Sequence, residues 1–430
     1  MSFADTLSDR TRKQARIHAY LSSSLSCISS CMLSETATVI IFMTLMGCSE
    51  SFMILCPAFS SIFAMALMIP SSKLVNLFGK KRASWAGSIM GCTGFLVMAL
   101  SPFFGKMAAP ILMTGCILYC LNTPLHNTSW FALLDEFLQN NERSRFFSTM
   151  RYTYMIVSGG VILFIGLIMG KNPPISLLQI SIGIAGILFL GRGYFNSLFP
   201  ENPHPAYETP NITRGIMDSL QNSSLTGYSI YMLLLTMATG TLMQLTFIYL
   251  KKYVELESNI VLLLSVLSLA GSTTSYVVYP FILKLTSLKV LEITVHVIYT
   301  LIAFTLFAMD KGFSTFVPVV GGVIFMIAFS NGITLCNNSI EMLSLAKPDN
   351  RTMALAFSMT YREIGRCITQ FGTSFIFSTT MLSPTWTLGN RIFSRYQTLF
   401  LLFGVTSLSV MMLLPLLPSF TRKHEYYYHP

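Results

Sequence analysis

The sequence predicts an all-α membrane protein with twelve transmembrane helices in two six-helix halves. Three observations predict it. Of 430 residues, 53% are hydrophobic and only 11% charged, with a mean hydropathy of +0.61. A soluble domain carries about 25% charged residues, so a large soluble enzyme and a disordered chain are both excluded. Long apolar runs recur along the whole chain, and basic residues gather in alternate connections between them.

A helix crosses a bilayer with about 20 mostly apolar residues. A polar, basic start (residues 1–17) has no short apolar core, so no cleavable signal peptide is expected and this tail reads as a short surface helix. Six spans follow, near 20–46, 51–70, 85–104, 110–134, 146–169 and 175–190. The composition then changes over 197–226, with Pro200, Pro203, Pro205 and Pro210 and a short amphipathic segment. Six more spans lie near 228–250, 259–283, 291–309, 316–345, 353–381 and 396–417. The runs are too long for strands and lack alternation with period two, which argues against a membrane β-barrel. The expected organisation is a bundle over 1–196, a cytoplasmic linker over 197–226 and a bundle over 227–430.

With the N-terminus inside, nineteen of the 28 Lys and Arg residues fall in the tails and loops on the cytoplasmic side. Seven fall outside: Lys106, Lys171, Lys251, Lys252, Lys311, Arg391 and Arg395. Arg362 and Arg366 remain within the eleventh span. The bias places both termini in the cytoplasm of a multi-pass protein of the cell membrane. It also accounts for the net charge of +10 without nucleic acid as a partner. Arg192 counts with the central linker, and His296 falls in a span expected to be peripheral. The nine cysteines lie mostly within spans, without the His or carboxylate partners of a metal site, and read as small packing residues. No metal or cofactor is expected.

The halves echo each other. His126-Asn127-Thr128-Ser129 in span 4 has a counterpart in Cys336-Asn337-Asn338-Ser339 of span 10. Each span is followed by a polar loop with an arginine, Arg143 or Arg351, and then by a span opening with Phe-Ser, Met and Tyr. Internal repeats are common in transporters, where the substrate site lies at the repeat interface.

The twelve spans, internal termini and long central linker resemble the major facilitator superfamily over the whole chain. The loop after span 2 resembles the family pattern G-x-L-x-D-x-x-G-R-K/R. Leu74, Gly79, Lys80, Lys81 and Arg82 match it, while Ser72 and Asn76 replace its first Gly and its Asp. Asp135 and Glu136, then Arg143, resemble the acidic-then-Arg pattern between spans 4 and 5. The resemblance implies that Asn76, Gly79, Lys80, Lys81, Arg82, Asp135, Glu136 and Arg143 form a cytoplasmic gate. Asn76 would serve there as a hydrogen-bond acceptor without the family's charge.

Ionisable groups inside a bilayer are costly, and they face a cavity or a partner. Glu35 lies near the middle of span 1. Tyr361, Arg362, Glu363 and Arg366 lie in span 11, with the arginines about 14 and 20 Å deep at about 1.5 Å per residue. Two readings are open. The arginines bind an anionic substrate, with Glu35 carrying a coupled proton, or they pair with the carboxylates as structure. His126, Asn127, Asn337 and Asn338 are candidate substrate contacts, since the resemblance puts spans 4 and 10 on the cavity. Arg151 belongs either to that cavity or to the preceding loop.

The function expected is secondary active transport of a small molecule by alternating access, as a monomer, with a proton as coupling ion and an organic anion as substrate. A flippase or exporter of another twelve-span fold and a membrane-embedded transferase are the alternatives. The transferase would need clustered His or carboxylates and large soluble loops, and no ATP-binding segment, nucleophile–base pair or other sign of an enzyme occurs.

Overall fold

A computed structural model describes residues 3–134, 136–139, 142–202, 212–309, 312–345, 351–389 and 391–416. Its helices in order are α1 (Phe3–Thr6), α2 (Asp9–Ser30), α3 (Thr38–Leu45), α4 (Glu50–Phe78), α5 (Lys80–Leu100), α6 (Ala108–Leu134), α7 (Arg143–Met169) and α8 (Ile175–Ser197). Then come α9 (Ile212–Gln221), α10 (Ser223–Thr239), α11 (Leu242–Ile248), α12 (Ser258–Leu285), α13 (Leu288–Ala308), α14 (Phe316–Leu345), α15 (Arg351–Ser378) and α16 (Arg395–Leu413). Among the described residues, nine helical segments are long and apolar enough to cross a membrane, or ten if a bent pair at the start counts as one span. Length and apolarity therefore give fewer than the twelve spans expected. One apolar segment, Lys80–Leu134, contains both α5 and α6.

Local sequence sets the helix ends. Asn222 accepts the Leu225 N–H at 3.1 Å at the head of α10, and Ser394 forms a capping box with Gln397 at the head of α16. Gly79 alone joins α4 to α5 with φ +89°, a conformation that L side chains rarely adopt. The basic start is not a separate surface helix. Arg10, Arg12, Lys13 and Arg16 lie on α2, continuous with the first span, because Ser8 caps the helix at Asp9 and nothing interrupts it before Ser30. A hairpin of β1 (Thr385–Leu388) and β2 (Arg391–Ser394) was not expected. It pairs Thr385 with Ser394 and stacks Trp386 on Phe393 at 5.0 Å.

The chain forms two compact units. The first comprises Met1–Ser49, Ala66–Glu208 and Leu256–Ala270. Its core joins Trp130, Leu133, Phe137, Phe146 and Phe199 to the small Ala15 and Ala19 of α2. The head of α12 belongs here: Lys171 meets Glu257 at 2.8 Å, and the Ser268 hydroxyl donates to the Glu35 carbonyl at 2.7 Å. The second unit comprises Glu50–Met65, Thr209–Glu255 and Gly271–Pro430. The head of α4 belongs here, with Glu50 bonded to Arg395 at 3.0 Å and Ser51 to Ser374 at 2.7 Å. Helices α4 and α12 are each divided between the two units in this way. Large apolar side chains such as Phe164, Leu167, Ile184 and Leu301 stay exposed on the helices, which suits contact with lipid tails rather than water.

Two further sequence expectations are corrected. Arg192 is not a linker charge: α8 runs on to Ser197 and leaves Arg192 only 5% exposed, beside the Phe189 ring. His296 is not peripheral but fully buried, with its ring 5.6 Å from that of Tyr231.

Candidate functional site

The charged residues of span 11 come together on α15. Glu363 is 5% exposed. Its Oε1 accepts Arg362 Nε at 3.0 Å and Nη2 at 2.6 Å, and its Oε2 lies 3.6 Å from Arg366 Nη1. The buried Ser61 hydroxyl of α4 also bonds the carboxylate. One carboxylate thus meets two guanidiniums, leaving one positive charge. That charge is held most loosely at Arg366, whose side chain is 34% exposed. Tyr361 is half-buried against Phe357, with ring centroids 4.8 Å apart.

A close helix contact positions this group. A Cβ at Gly365 would strike the Leu233 carbonyl and the Thr236 hydroxyl of α10. The Thr236 hydroxyl donates to the Arg362 carbonyl at 2.8 Å. Gly240, at the joint between α10 and α11, sits against Thr369 and the Arg366 backbone. Small residues on both helices bring the α15 charges against the interrupted seventh span.

The first span is interrupted too. Glu35 ends a π-helical turn, Cys31–Glu35. Thr36 is extended (φ −129°, ψ 171°), and both its N–H and its hydroxyl donate to the Cys31 carbonyl, at 2.9 and 3.0 Å. The axis turns by 57° before α3 begins without a side-chain cap. Glu35 is therefore half-buried at a helix break rather than on a continuous helix face. A helix start presents unpaired N–H groups, which favour negative charge and polar ligands.

His126 and Asn127 are half-buried on α6; His126 Nδ1 is buried without a hydrogen-bond partner, and its ring lies 5.6 Å from that of Trp130. Arg151 is half-buried on α7, not in a loop. Asn337 and Asn338 are both 3% exposed on α14. Asn337 is committed to protein partners: Nδ2 donates to Glu292 at 3.0 Å, and Oδ1 accepts from the Tyr279 hydroxyl at 3.2 Å.

Among the expected gate residues, Lys80 pairs with Glu136, which also accepts the Asn202 N–H at 3.2 Å. Lys81 lies 3.8 Å from Glu201, and Arg82 is exposed. Asp135 lies outside the described residues, as do the side chains of Asn76 and Arg143. Sequence inspection passed over Glu292 as the edge of span 9. The signal was there: Glu292 and His296 are four apart, so they share one face of an apolar helix.

No family model matches the chain, and no curated protein matches it. Solved structures do. A mutant of the nucleoside transporter NupG is 16% identical with a TM-score of 0.69, over 95% of this chain and 100% of that one. A D-xylose-proton symporter is 13% identical with a TM-score of 0.69, over 96% and 98%. The xylose transporter XylE from E. coli, in an inward-open conformation, is 12% identical with a TM-score of 0.66, over 96% of each. The likeness shows that this chain has the fold of these transporter structures.

Proposed function

We propose that the protein is a secondary active transporter that moves a small polar solute by alternating access, driven by a proton gradient. The bodies that move are the halves 1–196 and 227–430. The carrying observation is the set Arg362–Glu363–Arg366. It is a buried, hydrogen-bonded charge group with one positive charge to spare, held where α15 meets the interrupted α10–α11 span. Arg366 is the substrate contact, because its guanidinium is the more loosely paired and the more accessible. Arg362 and Glu363 position it. Glu35, at the break of the first span, is the proton carrier.

The spare charge favours an organic anion. The names of the similar structures, a nucleoside transporter and a D-xylose-proton symporter, favour a neutral hydroxylated solute. Solute counterflow in proteoliposomes separates the two, with uridine, D-xylose, lactate and succinate as probes. The anion reading requires exchange of a carboxylate that Arg366→Gln abolishes. Exchange confined to uridine or D-xylose discards the anion and keeps the transporter. No exchange of any probe in a well-folded preparation counts against transport of these solute classes.

A further inference from the structure

We propose that the second unit holds a proton-binding site at Glu292, separate from Glu35 and from the α15 charge group. Its role as a second coupling site rests on the transport reading above, but its existence does not.

Glu292 is the fifth residue of α13 and is 5% exposed. Its side-chain donor is the neutral amide of Asn337, which is itself held by Tyr279. Among the described residues, no Lys or Arg nitrogen lies within 4.0 Å of its carboxylate. Lys289 attracts it from one turn earlier on the same helix, and Glu341 of α14, 2% exposed, repels it. The other titratable groups around it are Tyr228 and Tyr231 of α10, Tyr279 of α12, Cys336 of α14, and His296 and Tyr299 of α13. From α16 the Ser407 hydroxyl donates to the His296 carbonyl at 3.4 Å.

Beside Glu292 lies a cavity of about 10 Å³, lined by Tyr228, Tyr231, Leu291, Glu292, Val295 and Asn337. That is room for about one water molecule. Tyr228 and His296 each keep one buried polar atom without a hydrogen-bond partner. One is the hydroxyl of Tyr228, which is 2% exposed and stands on the cavity wall. The other is His296 Nε2. Since the Glu292 carbonyl can only accept, His296 Nδ1 carries the hydrogen of their 3.0 Å contact, which leaves Nε2 of the neutral ring an acceptor.

An ionised carboxylate without a paired cation costs several kcal/mol to bury, and the usual remedy is to take up a proton. A hydronium in the cavity gives its proton to Glu292, producing a neutral acid and one water. That water can accept from Tyr228. A calcium or magnesium ion is a poor alternative, since either needs about six or more oxygen ligands. Here Glu292 Oε1 and Asn337 Oδ1 are already engaged, and the space is that of one water.

Infrared spectra of the full chain in lipid nanodiscs, taken from pH 5 to pH 9, read the proton directly and need no substrate. A failure of solute transport leaves this test intact, and the reverse is also true. The expected result is a pH-dependent carboxylic-acid carbonyl band that Glu292→Gln removes and Glu35→Gln retains. The midpoint of that band is the pH at which half of its intensity is lost. Tyr228→Phe, which removes only the hydroxyl and keeps the ring, should shift that midpoint by half a unit or more. A band unchanged by Glu292→Gln, a carboxylate ionised across the whole range, or an acid that ignores pH would each overturn the proposal. If Glu292→Gln does not fold, an unmoved midpoint in Tyr228→Phe does so as well.

Discussion

Arg362 sets two of its nitrogens, at 3.0 and 2.6 Å, on a single oxygen of the next residue in the chain, Glu363. Such a bond is charge-assisted and directional. It leaves the other carboxylate oxygen for Arg366 at 3.6 Å, so the two arginines are not equivalent. One is spent on structure, and the other keeps charge available for a ligand.

Removing the shared carboxylate should therefore be costly. Glu363→Ala leaves Arg362 and Arg366 unpaired, and breaking a buried pair costs about 3–5 kcal/mol. Thermal unfolding in nanodiscs should show this loss. Arg362→Ala should destabilise more than Arg366→Ala. The reverse order would show that Arg366, not Arg362, is the structural partner.

The approach of α15 to α10 gives a steric prediction. Gly365→Ala drives a methyl into the Leu233 carbonyl and should cost about 1–3 kcal/mol. Gly372→Ala on the same helix meets nothing within 4 Å. It should be neutral, or stabilising by up to about 1 kcal/mol through helix propensity. Comparing the two melting temperatures checks the contact without altering any charge.

In the first unit, the pairs of Lys80 and Lys81 should differ in weight. Lys80→Ala leaves the buried Glu136 without its cation, at about 1–3 kcal/mol or more. Lys81→Ala breaks a 3.8 Å contact between partly exposed side chains and should cost about 0–1 kcal/mol. Double-mutant cycles with Glu136→Gln and Glu201→Gln measure both couplings.

Lys171 tests a surface pair. The Glu257 carboxylate beside it holds its ammonium above the ordinary lysine value. Any stability it adds is complete at neutral pH and is lost as pH rises through that raised value. The lysine is exposed, so Lys171→Ala should leave the melting temperature at pH 7 unchanged within error.

The helical character and the α15 charges were legible in the sequence, because a bilayer makes apolar length and misplaced charge conspicuous. Two kinds of feature were not. Arg192 and Glu292 sit near span ends, where hydropathy cannot separate a buried side chain from one reaching water. The break at Glu35–Ala37 was hidden because Thr36 and Ala37 carry no Pro or Gly to mark it. The break depends on the Thr36 N–H and hydroxyl, which both reach the Cys31 carbonyl and which no periodicity reports. The pairing of Glu363 with Arg366 follows from their spacing of three, but the tighter bond to Arg362 depends on rotamers.

The central claim, proton-coupled solute transport, is tested most directly by a pH-sensitive dye sealed inside proteoliposomes. Uridine, D-xylose, lactate and succinate are added outside in turn, with the membrane potential clamped. At least one solute should acidify the lumen in the wild type and not in Glu35→Gln, while the variant still exchanges that solute across the membrane. Solute entry with no accompanying proton movement, or acidification undiminished in Glu35→Gln, would contradict the account.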